Sequence, residues 1–420
     1  MTRRDAVWGV AICLAVICIV VLAGCPAKPK LEPPAGNPTA NISSGNAAGN
    51  GGTATSGKAA ATSGEPIKIG AIFSVSGPNA PLGEPEKAAA QMIEKQVNAN
   101  GGVLGRQISV IVKDDETQEV KAVTAAKDLI ETERVCAIIG PSGTPTTMAI
   151  KDICEKAGVP LISCAAGRPI TAPLAKWVFA VPQTDALAVA KVLDHLKAQK
   201  ITSVATIYVA NPYGESGQKQ LEAQLKPAGI KIMASESFGP KDTDMTAPLT
   251  KIKASNPAAV ICWGTNPGPA LVAKGMQKLG MKMPLIQSHG VANGKFLELA
   301  GDAAEGVTLP AGRLIVWQAV PDSNPQKAVL KDFATAFKEE TKKDADTFAG
   351  HAYDSLHILL KAIETAGGDD RAKVRDAIEA TKGFVGTAGV FNYSATDHNG
   401  LTKDAFVWVK VAKGGWALAE

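Results

Sequence analysis

Side chains suited to holding a small anion follow several strand-like apolar runs in this sequence of 420 residues. Ser142 and Thr144 come directly after the run that ends at Gly140, where a helix predicted over 145–157 begins with N–H groups free to bind a carboxylate. The alternative is that Ser142 or Thr144 only caps this helix. His289 follows a later run and offers a neutral donor and acceptor or, when protonated, a cation. These residues predict a binding site for a small carboxylate.

No pattern in the sequence predicts catalysis, a cofactor or a metal site. The motifs G-x-x-x-x-G-K-[ST], G-x-G-x-x-G and H-E-x-x-H do not occur. His351 and His357 lie six residues apart, so one face of a helix does not present both to a metal ion. The body of the chain holds no C-x-x-C motif, and its cysteines are predicted to be buried free thiols. These cysteines are Cys136, Cys154, Cys164 and Cys262.

The elements that position these residues alternate between strand and helix. Alternation runs from 67 to 164 and restarts from 186 to 287, which predicts an α/β protein with two doubly wound parallel-sheet lobes. Two long helices at 324–340 and 348–366 and a shorter one at 371–380 follow. A short β pair around 390–392 and 405–411 is predicted to close the chain.

The amino terminus predicts export rather than fold. Arg3 and Arg4 precede an apolar run over 6–22, and Leu-Ala-Gly then leads directly into Cys25. This pattern resembles a bacterial lipobox, so 1–24 is predicted to be a lipoprotein signal peptide and Cys25 the lipidated residue. An uncleaved amino-terminal anchor is the alternative. Residues 25–65 are rich in Pro, Gly, Ala, Ser and Thr and are predicted to form a flexible tether.

Charge and composition exclude several partner classes. Beyond residue 65 the chain has 39 basic and 37 acidic residues, a net charge of +2, so it lacks the basic excess of a nucleic-acid-binding protein. Aromatic residues make up only 5%, too few for base-stacking platforms. We therefore expect a small-molecule partner and no nucleic acid.

Short motifs spread over 66–420 stand in the order and spacing of one family. They are Ile67–Pro78, Gly101–Gly105, Asp114-Asp115, Ile138–Thr144, Gly158–Ser163, Asn211–Gly214, His289–Asn293, Ala304–Gly306 and Tyr353-Asp354. Together they resemble the leucine/isoleucine/valine-type periplasmic binding proteins, the type I solute-binding proteins of ABC transporters. The resemblance implies two lobes joined by a three-segment hinge, with crossings near 182–185, 309–313 and 383–389. Lobe 1 would comprise 66–185 and 313–385, and lobe 2 would comprise 186–312 and 386–420.

The resemblance also implies a ligand cleft between the lobes. The residues it assigns to ligand binding are Ser142, Thr144, Ala165, Ala166, Gly167, Tyr213, Thr265 and His289. Tyr213 is expected to stack on the ligand, although a turn role beside Asn211 and Pro212 is the alternative. Relatives usually carry a hydroxyl residue where Gly167 stands, so one polar contact is expected to be missing. Leu82 aligns where amino-acid binders often carry an aromatic residue.

His289 aligns where amino-acid binders commonly carry an acid that pairs with the ligand's ammonium. A branched-chain amino acid is the family's default ligand, but His289 and Gly167 favour an aromatic or aliphatic acid. A structural loop histidine is the alternative. The implied function is a lipid-anchored receptor, in the periplasm or at the cell surface, that delivers its ligand to an ABC permease and its ATPase. A ligand-sensing module of a membrane signalling protein is the alternative function.

Overall fold

A computed structural model of the protein describes residues 64–419. The predicted signal peptide, Cys25 and nearly all of the predicted tether lie outside the described residues. Within 64–419, no helix combines the length and the apolar character needed to cross a membrane.

The first sheet has five parallel strands in the order β2–β1–β3–β4–β5. The strands are β1 (Ile67–Phe73), β2 (Ile108–Asp114), β3 (Ile138–Ile139), β4 (Leu161–Ser163) and β5 (Val178–Ala180). The helices that connect them are α1 (Ala80–Ala99), α2 (Glu119–Lys127) and α3 (Thr144–Ala157). The apolar run of β1 is buried on both faces, because helices cover both sides of a parallel sheet. Ile69 and Ile72 accordingly belong to different core clusters.

The second sheet has seven strands in the order β14–β13–β10–β9–β8–β6–β7. Its parallel strands are β6 (Ser203–Val209), β7 (Lys231–Phe238), β8 (Ala259–Trp263), β9 (Leu285–Gln287) and β10 (Thr308–Ala311). The helices of this lobe are α4 (Asp185–Ala198), α5 (Pro212–Leu225), α6 (Thr246–Ala254), α7 (Gly268–Lys278) and α8 (Gly294–Ala300). Two core clusters again line its two faces.

The carboxyl-terminal segment serves both lobes. Its elements are α9 (Lys327–Thr341), α10 (Thr347–Ala366), α11 (Arg371–Glu379), β11 (Phe384–Val385), β12 (Val390–Phe391), β13 (Val407–Ala412) and β14 (Gly415–Leu418). Helix α10 packs along α1 in the core of the first lobe. The remaining short helical turns are Asp128–Thr132, Arg168–Ile170, His289–Val291, Gly301–Ala304, Arg313–Ala319 and Lys403–Ala405.

The predicted closing β pair is wrong in its partners. Strand β12 pairs antiparallel with β11 in a separate hairpin. Strand β13 pairs antiparallel with β10 and with β14, and so extends the second sheet. Local composition marks these runs as strands, but the choice of partner depends on tertiary contacts that the sequence pattern does not contain.

The third crossing between the lobes also lies later than the expected 383–389. Phe391 and Tyr393 pack in the core of the first lobe, and the hydroxyl of Tyr393 donates to the carbonyl of Ala180 at 3.2 Å. The chain enters the second core only at Phe406. Residues 386–405 therefore stay with the first lobe, and the expected boundary at 385/386 differs from the division between the cores.

Each sheet contains one point at which the strand order reverses. The chain runs from β1 outward to β2 and returns to β3 on the other side of β1; it likewise runs from β6 to β7 and returns to β8. The connections that leave the carboxyl ends of two such adjacent strands diverge to opposite faces of the sheet and leave a crevice between them. This topology predicts the location of the ligand site in both lobes.

Candidate functional site

The two crevices face one another and form a single cleft. Its free volume is about 40 Å³, room for about three water molecules, so the lining residues nearly fill the cleft in this conformation. Seven of the eight predicted residues line it: Ser142, Thr144, Ala165, Ala166, Tyr213, Thr265 and His289. Gly167 lies behind Thr144 and is absent from the lining.

Thr144 is the hydroxyl donor that remains available to a ligand. The N–H of Gly167 donates to Thr144 Oγ1 at 3.2 Å, which orients the hydroxyl and leaves its proton free. The N-cap of α3 is Gly143, and no side chain caps this helix, so neither Ser142 nor Thr144 has the purely capping role. The Thr144 hydroxyl and the start of α3, where Pro145 has no N–H, together form a corner suited to an anion.

Gly167 contributes through its lack of a side chain. A Cβ at this position would lie 2.4 Å from Cγ2 and 2.8 Å from Oγ1 of Thr144. The sequence prediction treated Gly167 as a lost hydroxyl contact. The structure places its N–H against Thr144 instead, and only glycine permits that approach without moving Thr144.

Ser142 differs from the expectation that it donates to the ligand. Its hydroxyl donates to Oε2 of the buried Glu86 and accepts the N–H of Ser74 at 3.0 Å. Burial raises the pKa of Glu86 well above its usual range. Ser142 thus joins β1, α1 and the loop before α3, and positions Thr144 rather than supplying a free proton.

Two alanines contribute backbone groups beside this corner. The N–H of Ala165 donates to Ser163 Oγ at 3.1 Å, and the carbonyl of Ala166 accepts the N–H of Asp185 at 3.1 Å. The N–H of Ala165 is therefore engaged within the protein. The expected backbone contact from Ala165 to a ligand is therefore not available through this N–H.

Tyr213 presents its ring to the cleft. Asn211 caps α5 by accepting the N–H groups of Tyr213 and Gly214, both at 3.0 Å, which fixes the position of Tyr213 in the first turn of the helix. The phenol hydroxyl donates to Ser288 Oγ at 3.3 Å. A Cβ on Gly290 would lie 2.8 Å from this hydroxyl, so glycine is needed there for the tyrosine to pack. Its ring is thus the part of Tyr213 available for apolar contact.

His289 lies in a cage of aromatic rings at the end of β9. Its ring centroid is 6.1 Å from Tyr213, 5.9 Å from Trp263 and 5.4 Å from Phe406, all edge to face. Burial lowers the pKa of His289 to about 4, so the imidazole is neutral at physiological pH. A backbone group of Gln183 lies near the ring and opposes this shift, yet neither ring nitrogen has a protein partner in hydrogen-bonding geometry.

His351 lines the cleft and is not among the ligand-binding residues predicted from the sequence. It lies on α10 one turn after Phe348, and both residues line the cleft. Burial and, to a smaller extent, the neighbouring His289 lower its pKa to about 3. The sequence indicates for His351 only that it does not form a metal pair with His357. The i, i+3 spacing of Phe348 and His351 was the available signal for a shared face.

Side chains also join the lobes across the cleft. The hydroxyl of Thr265 donates to Asn79 Oδ1 at 3.1 Å, and that of Thr347 donates to the carbonyl of Ala292 at 2.9 Å. The N–H of Arg168 donates to Ser216 Oγ at 3.1 Å. These contacts describe a closed conformation, in which Thr265 bridges the lobes.

The lining of the cleft carries no Asp, Glu, Lys or Arg. Glu86 and Asp185 are fully buried near it but are not part of its surface, and burial raises the pKa of Asp185 to about 7. Within 64–419, no cluster of three or more metal-ligating side chains is present. The four cysteines of the body are free and buried, as predicted.

A comparison with known families matches residues 66–415 to the family described as "Periplasmic binding protein". The chain belongs to the periplasmic binding protein family. Members of this family are solute-binding proteins that act outside the cytoplasm, and they are not enzymes. The predicted family is therefore confirmed.

Individual periplasmic binding proteins are similar over nearly the whole described chain. A leucine-, isoleucine-, valine-, threonine- and alanine-binding protein of Pseudomonas aeruginosa is 29% identical, covering 75% of this chain and 82% of its own. An extracellular ligand-binding receptor from Rhodopseudomonas palustris HaA2 superposes with a TM-score of 0.80 at 28% identity, covering 84% and 99% of the two chains. The branched-chain amino acid transporter substrate binding protein LivJ from Streptococcus pneumoniae, in complex with isoleucine, has a TM-score of 0.75 at 26% identity, covering 84% and 99%. The type I fold is thereby confirmed.

Proposed function

We propose that the protein is a lipid-anchored extracytoplasmic receptor that captures a small carboxylate in its cleft and delivers it to an ABC permease and its ATPase. The supporting observation is the anion-binding corner formed by Thr144, Gly167 and the start of α3. It supplies a free hydroxyl proton and helix N–H groups to a carboxylate.

The amine of an amino acid has no acidic partner on this surface. Several similar proteins are named for amino acids, and LivJ was solved with isoleucine. An ammonium in this cleft would face the neutral His289 and no carboxylate. A buried, unpaired charge is costly, so an amine-free aromatic or aliphatic acid suits the polar pattern better than leucine does.

A thermal-shift screen tests the carboxylate proposal. Leucine, valine, 4-methylpentanoate, benzoate and their hydroxy derivatives would be compared on residues 64–420. A ligand at 100 times its Kd stabilises the folded protein by about 2.7 kcal/mol. We expect stabilisation by amine-free acids. Stabilisation by leucine or valine alone would contradict the proposal, because another acid would then have to hold the amine.

The lipid anchor and delivery are separate parts of the proposal. The sequence Leu-Ala-Gly-Cys25 followed by a tether motivates the anchor. Replacement C25S should release the protein from the membrane fraction or leave the signal uncut. Uptake of the ligand should fall when either the receptor gene or a partner permease gene is deleted. Normal uptake together with a lost signalling response would favour the sensing role instead.

A further inference from the structure

We propose that His289 and His351 together bind an uncharged hydroxyl group of the ligand, so that the carboxylate captured here is a hydroxy acid. This inference rests on the proposed function and specifies its substrate class. It concerns a pair of side chains that come from different lobes and meet in the cleft.

Both side chains have hydrogen-bonding atoms that the protein leaves unused. His289 is 7% exposed and His351 is 5% exposed. Both ring nitrogens of His289 and Nδ1 of His351 are buried without a hydrogen-bond partner. Buried polar atoms are almost always paired in folded proteins. A backbone group of Gln183 lies near the His289 ring, so one nitrogen on each ring remains for a polar group that arrives with the ligand.

The surroundings hold the two rings in place. Tyr213, Trp263 and Phe406 enclose His289, and Phe348 meets His351 edge to face at 5.7 Å between ring centroids. Thr347 anchors the start of α10 to the opposite lobe through the carbonyl of Ala292. In this structure the imidazole on α10 therefore lies near the imidazole that follows β9.

The charge of the site selects the kind of group that these nitrogens bind. No acidic side chain lines the cleft to pair with an ammonium, and no Lys or Arg lines it to pair with a second carboxylate. Burial keeps both imidazoles neutral, and each neutral ring offers one donor and one acceptor. A hydroxyl also donates once and accepts, so it pairs with one nitrogen of each ring without a charge.

Isothermal titration of the wild-type protein with matched acids tests this assignment. One set shares the leucine skeleton: 2-hydroxy-4-methylpentanoate, leucine and 4-methylpentanoate. The second set is 4-hydroxybenzoate and benzoate. In at least one set we expect the hydroxy acid to bind ten-fold or more tightly than its counterparts, because those counterparts leave the imidazoles unpaired.

Variants then assign the preference to the two histidines. H289F and H351F replace each imidazole by a ring that its aromatic neighbours can accommodate, and each should reduce the preference to less than three-fold. H357F is the matched control: His357 is half-buried on the same helix α10 but does not line the cleft, so its replacement should leave the preference intact.

The outcomes separate this inference from the proposed function. Equal binding of hydroxy and deoxy acids by the wild type, with loss of both in T144V, would overturn the hydroxyl assignment and leave carboxylate capture standing. Tight binding of leucine alone would overturn both. A hydroxyl preference that survives in H289F and H351F would overturn the role of the histidines. The wild-type comparison requires no variant to fold.

Discussion

Replacing Thr144 with valine removes the proposed carboxylate donor while keeping the shape of the side chain. In the structure, Gly167 N–H occupies one acceptor position of Thr144 Oγ1 at 3.2 Å, and the hydroxyl proton remains for the ligand. A hydrogen bond to a charged group contributes about 1.5–3 kcal/mol. At about 1.4 kcal/mol per ten-fold change, T144V should raise the Kd for a carboxylate roughly 12- to 140-fold.

The same substitution also affects the free protein. Valine cannot accept the N–H of Gly167, and an unsatisfied buried donor costs about 1–3 kcal/mol. We therefore expect a lower melting temperature in addition to weaker binding. The two effects separate by experiment, because melting without ligand reports stability and calorimetry well below the melting temperature reports affinity.

The assay is calorimetry with whichever acid most stabilises the wild type in the thermal-shift screen. T365V is the control, because Thr365 lies on an exposed turn of α10 outside the cleft, where its hydroxyl donates to the carbonyl of Lys361 at 2.9 Å. The carboxamide analogue of the acid should bind wild type weakly. The T144V substitution should reduce its affinity less than it reduces the affinity of the acid. A Kd for T144V within three-fold of wild type would refute the assignment of Thr144 as the carboxylate donor.

Four further outcomes are expected. G167A should weaken carboxylate binding at least ten-fold, because its Cβ would meet Thr144 at 2.4 Å; unchanged affinity by calorimetry would contradict this. In the same calorimetric titration, H289E should bind leucine, whereas wild type should not. T347V should lower affinity for all ligands alike and increase the radius of gyration in X-ray scattering with ligand, since a bond across the cleft is lost. Burial raises the pKa of Asp185 to about 7, so the native state prefers it protonated. Wild type should therefore lose stability relative to D185N as pH rises from 4 to 7, by at most about 1.4 kcal/mol per pH unit. A difference in melting temperature between the two proteins that stays constant over this pH range would contradict this.

Local patterns in the sequence were sufficient to predict the fold class and several of the residues that line the cleft. Apolar runs predicted β9 at Leu285–Gln287 and helix α10 to within one residue of Thr347–Ala366. In a parallel sheet the residues after such runs gather at one edge, which placed Thr144, Tyr213 and His289 on a common cleft. The chemistry of His289 was also readable, because residue type alone determines what an imidazole can offer.

Tertiary structure decided the rest, because it depends on contacts between distant segments. Strand β5 has only three residues, and the sequence pattern did not predict it. The hairpin β11–β12 stays with the first lobe because Tyr393 packs on Phe179, with ring centroids 5.5 Å apart. No local signal indicated that His351 would meet His289, since 61 residues and a change of lobe separate them in the chain.

The roles of Ser142 and Gly167 likewise became apparent only in three dimensions. A serine before a helix is a donor by type, yet the fold places Glu86 and Ser74 against it and uses its hydroxyl within the protein. A glycine lacks a polar side chain by type, yet the fold places its N–H on Thr144. The sequence determines which groups are available, whereas packing determines which of them remain free for a ligand.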